Sequence, residues 1–258
     1  FLIHSRFGTG AAISQSPLPA VPFPAPAPIR DDLDVPVMIV QTEGDVILSN
    51  LDSRQPADTS MIREWEIAGA SHADAYTTGV GLNDPGETSG TPYMFGYLRV
   101  PVNNYGCTNG INAGPQHWIV QAAFHGLDTW VRTLQDPNVE DVAPPQGTPL
   151  EIISHTPVVL ARDTNGNALG GVRSPHVDAP LATLDTVNSA PPGGFPFCGL
   201  FGRTIPFSPD RVVELYPTQA DFTEMWSDAI DANVAAGFLL QADGDELEAA
   251  ANAWDFPN

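Results

Sequence analysis

A continuous apolar run over residues 35–40, Val-Pro-Val-Met-Ile-Val, constrains the fold more than any other stretch of the chain. A strand that is apolar at every position is typical of a parallel sheet buried on both faces. A second strand is predicted over residues 63–68, after a polar stretch at 50–60 with room for a short helix. Two strands joined by such a crossover indicate a βαβ unit, and residues 1–5 predict the end of another buried strand.

Two amphipathic helices are predicted further along the chain. Pro115 opens the first, whose apolar positions, Phe124 among them, recur every three or four residues until Pro137 ends it. The second covers residues 219–236 and carries Met225 on its apolar face. A stripe of this kind predicts a helix that packs on a sheet or on another helix.

The remaining stretches are rich in Gly, Pro and Asn. Residues 79–114 are predicted to form a long surface loop, and 144–210 to form loops with short strands. We therefore predict an α/β fold whose mostly parallel sheet, flanked by helices, lies within residues 1–137. Residues 138–258 are expected to be a loop-rich extension that ends in helices and packs on the same domain.

Charge narrows the range of partners. The net charge is −21, from 31 acidic residues against 10 basic ones, and every basic residue is arginine. This balance disfavours nucleic acids and anionic membranes, which attract basic surfaces, and is typical of a solubilising surface. No run of about 18 apolar residues occurs, so no membrane span is expected.

The two cysteines, Cys107 and Cys198, fit no metal-binding spacing and no C-x-x-C motif. They are either joined in one disulfide or present as two buried thiols. We favour the disulfide, which implies an oxidising compartment and so a secreted or cell-envelope location.

An acid and a histidine follow two successive predicted strands. Asp45 lies in a predicted turn over residues 41–45, and His72 ends the glycine-containing loop 68–72. Open α/β sheets place their sites at the carboxyl ends of strands. A histidine that takes a proton from a serine needs a carboxylate on its other ring nitrogen to fix the tautomer and stabilise the imidazolium. The order acid then histidine matches the late half of the Ser…Asp…His order of α/β-hydrolases.

Each residue also has a structural interpretation. Asp45 could stabilise a turn by accepting backbone N–H bonds, and His72 could be a loop histidine with a structural hydrogen bond. Glu43 is a rival acid two residues earlier; we favour Asp45 because it lies deeper in the predicted turn.

The nucleophile is not recognisable in the chain. No G-x-S-x-G motif occurs, and Ser71 adjoins His72, so the two side chains are not expected to face one substrate atom. Chain order places the serine before Phe1, so we expect a processed or partial chain. Its partner would be the N-terminal portion of the same precursor, present as a second chain.

No cofactor or metal is expected. No H-E-x-x-H, phosphate-binding or dinucleotide-binding motif occurs, and residues 163–167 predict an Asn-Gly turn rather than a calcium loop. His4, at the end of the first strand, either faces the cleft or is a core histidine with a satisfied hydrogen bond, and we favour the core position. The other histidines outside the site are expected to pack or to lie at the surface.

Several stretches together resemble one known family. They are FLIHSR (1–6), DVPV (34–37), QTEGD (41–45), WEIAGASHAD (65–74), GGVRSP (170–175), DAP (178–180) and LY (215–216). These resemble the bacterial α/β-hydrolase domain family over residues 1 to about 245. The resemblance implies the C-terminal part of an α/β-hydrolase fold, with acid and histidine at Asp45 and His72 and the serine motif upstream.

The leading functional hypothesis is a serine-type hydrolase that cleaves a small carboxylic ester by acyl transfer. Asp45 and His72 would belong to its triad, and the serine would come from outside these residues. The alternative is a non-catalytic hydrolase-fold module that binds a ligand or a protein.

Overall fold

The computed structural model describes residues 1–8, 14, 17–22, 24–51, 54, 55, 57–86 and 90–257. Within them, the strands are β1 (Leu2–His4), β2 (Val37–Thr42), β3 (Ile62–Ile67), β4 (Ile152–His155), β5 (Val158–Leu160), β6 (Ala182–Asp185) and β7 (Arg203–Pro206). The α-helices are α1 (Glu43–Leu48), α2 (Ala75–Thr78), α3 (Thr91–Tyr97), α4 (Gln116–Gln135), α5 (Pro175–Asp178), α6 (Pro209–Leu215), α7 (Gln219–Ala236) and α8 (Gln241–Asn252). Val80–Leu82 and Pro196–Leu200 form 3₁₀ helices.

The first three strands form one parallel sheet in the order β1-β2-β3. Every residue of β2 is buried, as its apolar run predicts, because this strand has a neighbour on each edge. A parallel bridge from Ile67 to Val172 continues the pairing beyond β3. The sheet therefore brings the carboxyl ends of its strands to one edge.

Helix α4 packs against this sheet through the predicted apolar stripe. Ile119, Ala123 and Trp130 are buried in one cluster with Met38 of β2. Burying a large aliphatic side chain contributes about 1.5–3 kcal/mol, so this contact stabilises the sheet substantially. Phe124 is 56% exposed, so its prediction as a core residue was wrong. The spacing of apolar residues predicts which side of the helix faces the core. How many residues on that side are buried depends on the elements that pack against the helix.

The second half of the chain adds two antiparallel hairpins, β4–β5 and β6–β7, and the helices α5 to α8. Phe222 and Trp226 of α7 are buried in a cluster that also contains Trp118 of α4 and Leu247 of α8. Met225 is 46% exposed and does not belong to that core, contrary to its prediction. Trp226, which the same stripe predicts on the apolar face, is buried as expected.

Two predicted irregular stretches are regular in the structure. Residues 41–45, predicted as a turn, comprise the end of β2 and the first turn of α1. The predicted loop 79–114 contains a 3₁₀ helix and α3, although residues 87–89 of it lie outside the described ranges. The stretch 50–60 includes residues 52, 53 and 56, which lie outside those ranges too. The crossover helix α1 thus starts earlier than predicted.

Cys107 and Cys198 form a disulfide, as favoured from the sequence. The bond joins the segment after α3 to the 3₁₀ helix Pro196–Leu200. A disulfide is compatible with an extracellular location.

Across the described residues, no helix combines the length and the apolar character that crossing a membrane requires.

Candidate active site

The carboxyl ends of β2 and β3 carry the two residues paired in the sequence. Strand β2 ends at Thr42 and leads directly into α1, whose first turn holds Asp45. Strand β3 ends at Ile67, and the loop that follows it holds His72. Because the two strands are parallel neighbours, both residues emerge at the same edge of the sheet.

Asp45 is held by the start of its own helix. Thr42 is the N-cap, and it exchanges hydrogen bonds with Asp45 in a capping box. Oδ2 of Asp45 accepts from the backbone N–H of Thr42 at 2.8 Å, from its hydroxyl at 2.8 Å, and from the Ser5 hydroxyl at 3.0 Å. Asp45 is only 1% exposed. The carboxylate is therefore fixed, and its second oxygen is directed elsewhere.

That second oxygen contacts His72. Oδ1 of Asp45 lies 2.6 Å from Nδ1 of His72, whose side chain is 26% exposed. The hydrogen bond with Asp45 raises the pKa of His72, although burial opposes the rise. Burial works to raise the pKa of Asp45, but hydrogen bonds from His72 and Thr42 outweigh it and leave this pKa below its usual value. The geometry favours an ionised acid that orients the imidazole through Nδ1.

Glu43, the rival acid, turns away from His72. One of its carboxylate oxygens accepts from the backbone N–H of Gly69, and the other lies 3.1 Å from Nη2 of Arg162. Burial raises the pKa of Glu43 to about 7, although Arg162 and Gly69 act in the opposite direction. Glu43, the first residue of α1, therefore ties this helix to the loop that carries His72 (residues 68–72, the histidine loop) and to Arg162 in the second half of the chain.

Hydrogen bonds to backbone carbonyl oxygens hold the histidine loop in place. The Ser71 hydroxyl donates to the carbonyl oxygens of Ala73 at 2.8 Å and Phe201 at 3.1 Å. The N–H of Ala73 donates to the carbonyl of Leu200 at 3.0 Å. Ser71 is fully buried, so its hydroxyl serves to fix the loop beneath His72.

Two glycines lie where the chain near the site packs closely against other segments. Gly69 has φ of 78°, and a Cβ there would lie 2.8 Å from Cγ1 of Val177. At Gly44, a Cβ would lie 3.0 Å from the backbone nitrogen of His72. Backbone contact thus sets the spacing between α1 and the histidine loop.

The side chain of His72 is partly exposed. Its ring centroid lies 6.1 Å from that of Phe7. Within the described part of the chain, no serine, threonine or cysteine is hydrogen-bonded to Nε2 of His72. The structure therefore pairs a buried carboxylate with a partly exposed imidazole.

Two contacts of Asp45 were missed from the sequence. Thr42 was recognisable, because Thr-x-x-Asp is the spacing of a capping box, but the stretch was interpreted as a turn. Ser5 carried no signal, because its role depends on how β1 pairs with β2. His4, predicted as a core histidine, is exposed instead. It is the last residue of β1, and its ring nitrogen Nδ1 lies 3.3 Å from the Ser5 hydroxyl.

Two other histidines are packing residues. His117 stacks on Tyr76 with ring centroids 3.6 Å apart, and burial lowers the pKa of His117 to about 4. His176 lies between Trp118 and Trp226, and burial lowers its pKa to about 3. Among the described residues, no group of three or more His, Cys, Asp or Glu side chains is arranged to hold a metal ion.

A cavity of about 590 Å³ opens beside α2, the helix that begins shortly after His72. Its walls are a mixture of apolar, aromatic and polar side chains. They include Val80, Leu82, Asn83, Asp84, Tyr93, Tyr97, Val102 and Asn104. Leu82 is 78% exposed and Tyr93 is 62% exposed. A concavity of this size with apolar walls and a few polar groups is typical of small-molecule sites.

A comparison with protein-family models matches residues 1–249 to the family described as alpha/beta hydrolase domain. Comparisons with curated proteins and with solved structures give no match. The matched range contains the parallel sheet, the capped Asp45, His72 and the cavity. The chain belongs to the alpha/beta hydrolase domain family.

Proposed function

We propose that this protein is a serine-type hydrolase that cleaves carboxylic esters by acyl transfer, with Asp45 and His72 as acid and base. The observation that carries the proposal is the 2.6 Å contact between Oδ1 of Asp45 and Nδ1 of His72. The contact leaves Nε2 of His72 as the nitrogen that meets the serine. The burial of Asp45 and its further donors support a fixed orientation for the acid.

In the proposed reaction, Nε2 of His72 takes the serine proton while the serine oxygen attacks the ester carbonyl carbon. Asp45 stabilises the resulting imidazolium. The carbonyl then re-forms, the bond to the alcohol oxygen breaks, and His72 returns the proton to the departing alkoxide. Water attacks the acyl-serine by the same route and releases a carboxylic acid and the free serine.

The serine of this proposal comes from an upstream segment or from a separate chain, most simply the N-terminal portion of the same precursor. The Ser71 hydroxyl is occupied by two carbonyl oxygens, which supports an outside source. Strand β1 pairs with β2 along one edge, and within the described residues its other edge has no partner strand. Phe1 and Phe7 beside it are 74% and 49% exposed. An uncovered apolar strand edge attracts another strand, so we propose that the serine-bearing segment covers β1.

The cavity beside α2 supports an uncharged ester with an aromatic group as the substrate class. Consecutive Cα atoms are about 3.8 Å apart, so the wall at Ala75 lies within about 11 Å of the His72 Cα. Tyr93 and Tyr97 offer ring surfaces for stacking, whereas Asp84 and the net charge of −21 disfavour anionic molecules. The disulfide supports a secreted or cell-envelope location for this activity.

Fluorophosphonate labelling of the intact protein tests the proposal. The reagent should modify one serine, and peptide mass spectrometry should place it outside residues 1–258. His72→Ala should abolish labelling. His125→Ala, at an exposed position on α4, is the matched control and should be labelled like the wild type.

Two results would count against the proposal. If the intact protein binds small esters but no serine reacts, the binding-module hypothesis becomes the better one. If residues 1–258 alone form a stable, monodisperse monomer without a second chain, the covering of β1 by a serine-bearing segment is wrong.

A further inference from the structure

Ser5 has an uncommon backbone conformation beside Asp45. Its φ is 57°, in the left-handed region that non-glycine residues rarely adopt. Its N–H donates to the carbonyl of Val40 at 3.0 Å, so the residue is anchored to β2 where β1 ends. Its hydroxyl lies 3.0 Å from Oδ2 of Asp45 and 3.3 Å from Nδ1 of His4. Strain that persists next to a site points to a role for the side chain it positions.

The chemistry of the groups fixes the direction of both hydrogen bonds. An ionised carboxylate only accepts, so the single hydroxyl proton of Ser5 is donated to Asp45. The Ser5 oxygen is then free to accept, and the proton in its contact with His4 belongs to Nδ1 of the imidazole. The surrounding protein partly desolvates the exposed imidazole of His4 and lowers its pKa, although Asp45 opposes this, so the ring is neutral at neutral pH. The result is a chain in which His4 donates to Ser5 and Ser5 donates to Asp45, which also bonds His72.

We propose that Ser5 is a positioning residue of the Asp45–His72 pair, and that His4 acts on the pair through it. The proposal rests on the proposed function for its effect on catalysis, but the hydrogen-bond chain itself is testable without turnover. Ser5 and Thr42 together occupy Oδ2 of Asp45, so the carboxylate cannot rotate and presents Oδ1 to His72. Thr42, the last residue of β2, caps the helix that carries the acid, whereas Ser5 ties the acid to the end of β1.

Loss of the Ser5 hydroxyl has a definite sign. Without this donor, the negative charge of Asp45 is less satisfied, and the carboxylate attracts the protonated imidazole of His72 more strongly. The pKa of His72 should therefore rise. The titratable groups that face His72 are Asp45 from α1 and His4 from β1, while Asp74, two residues further on, is bonded to Thr77. Removing His4 should change the pKa of His72 in the same direction but less, because Ser5 still donates to Asp45 and loses only the hydrogen bond from His4.

The experiment compares Ser5→Ala and Ser5→Gly. Both remove the hydroxyl, but glycine adopts φ of 57° without strain, so Ser5→Gly should be at least as stable as the wild type. In both variants, NMR titration should show the His72 pKa raised by about half a unit. In a plot of the fluorophosphonate labelling rate against pH, the acidic limb should shift to higher pH by the same amount as the His72 pKa. The labelling rate at neutral pH should fall about tenfold.

Asn50→Gly is the matched control. Asn50 also has a positive φ, of 51°, but it lies just past the far end of α1 and is exposed. This variant should leave the His72 titration unchanged. An unchanged His72 titration in both Ser5 variants would overturn the proposal and leave Ser5 a backbone role only. A shifted titration in an intact protein whose serine does not react would uphold the Ser5 chain and refute the hydrolase instead.

Discussion

Ala73 donates its backbone N–H to the carbonyl of Leu200 at 3.0 Å, which ties the residue after His72 to the residue two positions past Cys198. The disulfide to Cys107 anchors the same segment on its other side. The histidine loop thus rests on a covalently closed support. Its geometry depends on contacts more than 100 residues away in the sequence, as the Ser71 bond to Phe201 also shows with a separation of 130.

The disulfide should therefore matter for stability. In a Cys107→Ala/Cys198→Ala variant, the free energy of unfolding should fall by about 4 kcal/mol, because the bridge spans 91 residues and restricts the unfolded chain. Urea unfolding of this variant, of the wild type and of the reduced wild type provides the measurement. Equal free energies for all three would show that the bridge does not stabilise the fold.

The identity of the acid is decided by paired amide variants. Asp45→Asn should lower the fluorophosphonate labelling rate by about 10³- to 10⁴-fold, because the amide favours the wrong tautomer of His72. Glu43→Gln should retain most of the rate, since its amide oxygen still accepts from Gly69. The reverse ranking would make Glu43 the acid.

The pair should also stabilise the fold within a defined pH window. Asp45 has a lowered pKa, so its contribution is present above its unfolded value of 3.8 and is lost as pH falls through the folded value. His72 has a raised pKa, so its contribution is complete below 6.5 and is lost as pH rises through the folded value. Urea unfolding of the wild type and His72→Gln should differ most between these limits.

The difference between those two proteins should shrink on the alkaline side as His72 loses its proton. His125→Gln, at an exposed position on α4, is the control and should follow the wild type at every pH. A difference that grows with pH would contradict the assigned pairing.

The substrate class is testable at Tyr93. Tyr93→Ala should raise KM for a 2-naphthyl ester about tenfold and leave kcat unchanged, because the ring is proposed to stack on the substrate before the chemical step. Ethyl acetate, which has no ring, should be unaffected. Phe124→Ala, another exposed aromatic position but outside the cavity lining, should leave both esters unchanged. Equal losses for the two esters would remove the aromatic assignment.

The parallel sheet was predictable because β2 begins with a continuous apolar run, Val37 to Val40, that is buried throughout. The bounds of α7 were predictable too, because Thr218 caps it and Gly237 ends it. Phe124 and Met225 were misplaced because periodicity identifies a stripe, while neighbours from distant parts of the chain decide how much of that stripe is covered.

The site was predictable only in part, for a similar reason. Strand order places an acid and a histidine at one edge of the sheet. Glu43 and Asp45 both lie in the first turn of α1, however, and only their three-dimensional contacts show which of them bonds to His72. Glu43 contacts Arg162, which is 119 residues away along the chain, and a local sequence pattern cannot predict such a contact. Ser5 reaches Asp45 across the pairing of β1 with β2, which is a property of the sheet and not of the motif.

Gly44 limits how the site can be redesigned. A single methyl group at this position would lie 3.0 Å from the nitrogen of His72, so the two loops meet through main-chain atoms. The distance between acid and base is thus set by the main chain at this junction together with the side chains that hold Asp45. A methyl group at position 44 would require the histidine loop to shift by a few tenths of an ångström, so a library built to alter specificity should leave Gly44 untouched while varying the walls of the cavity.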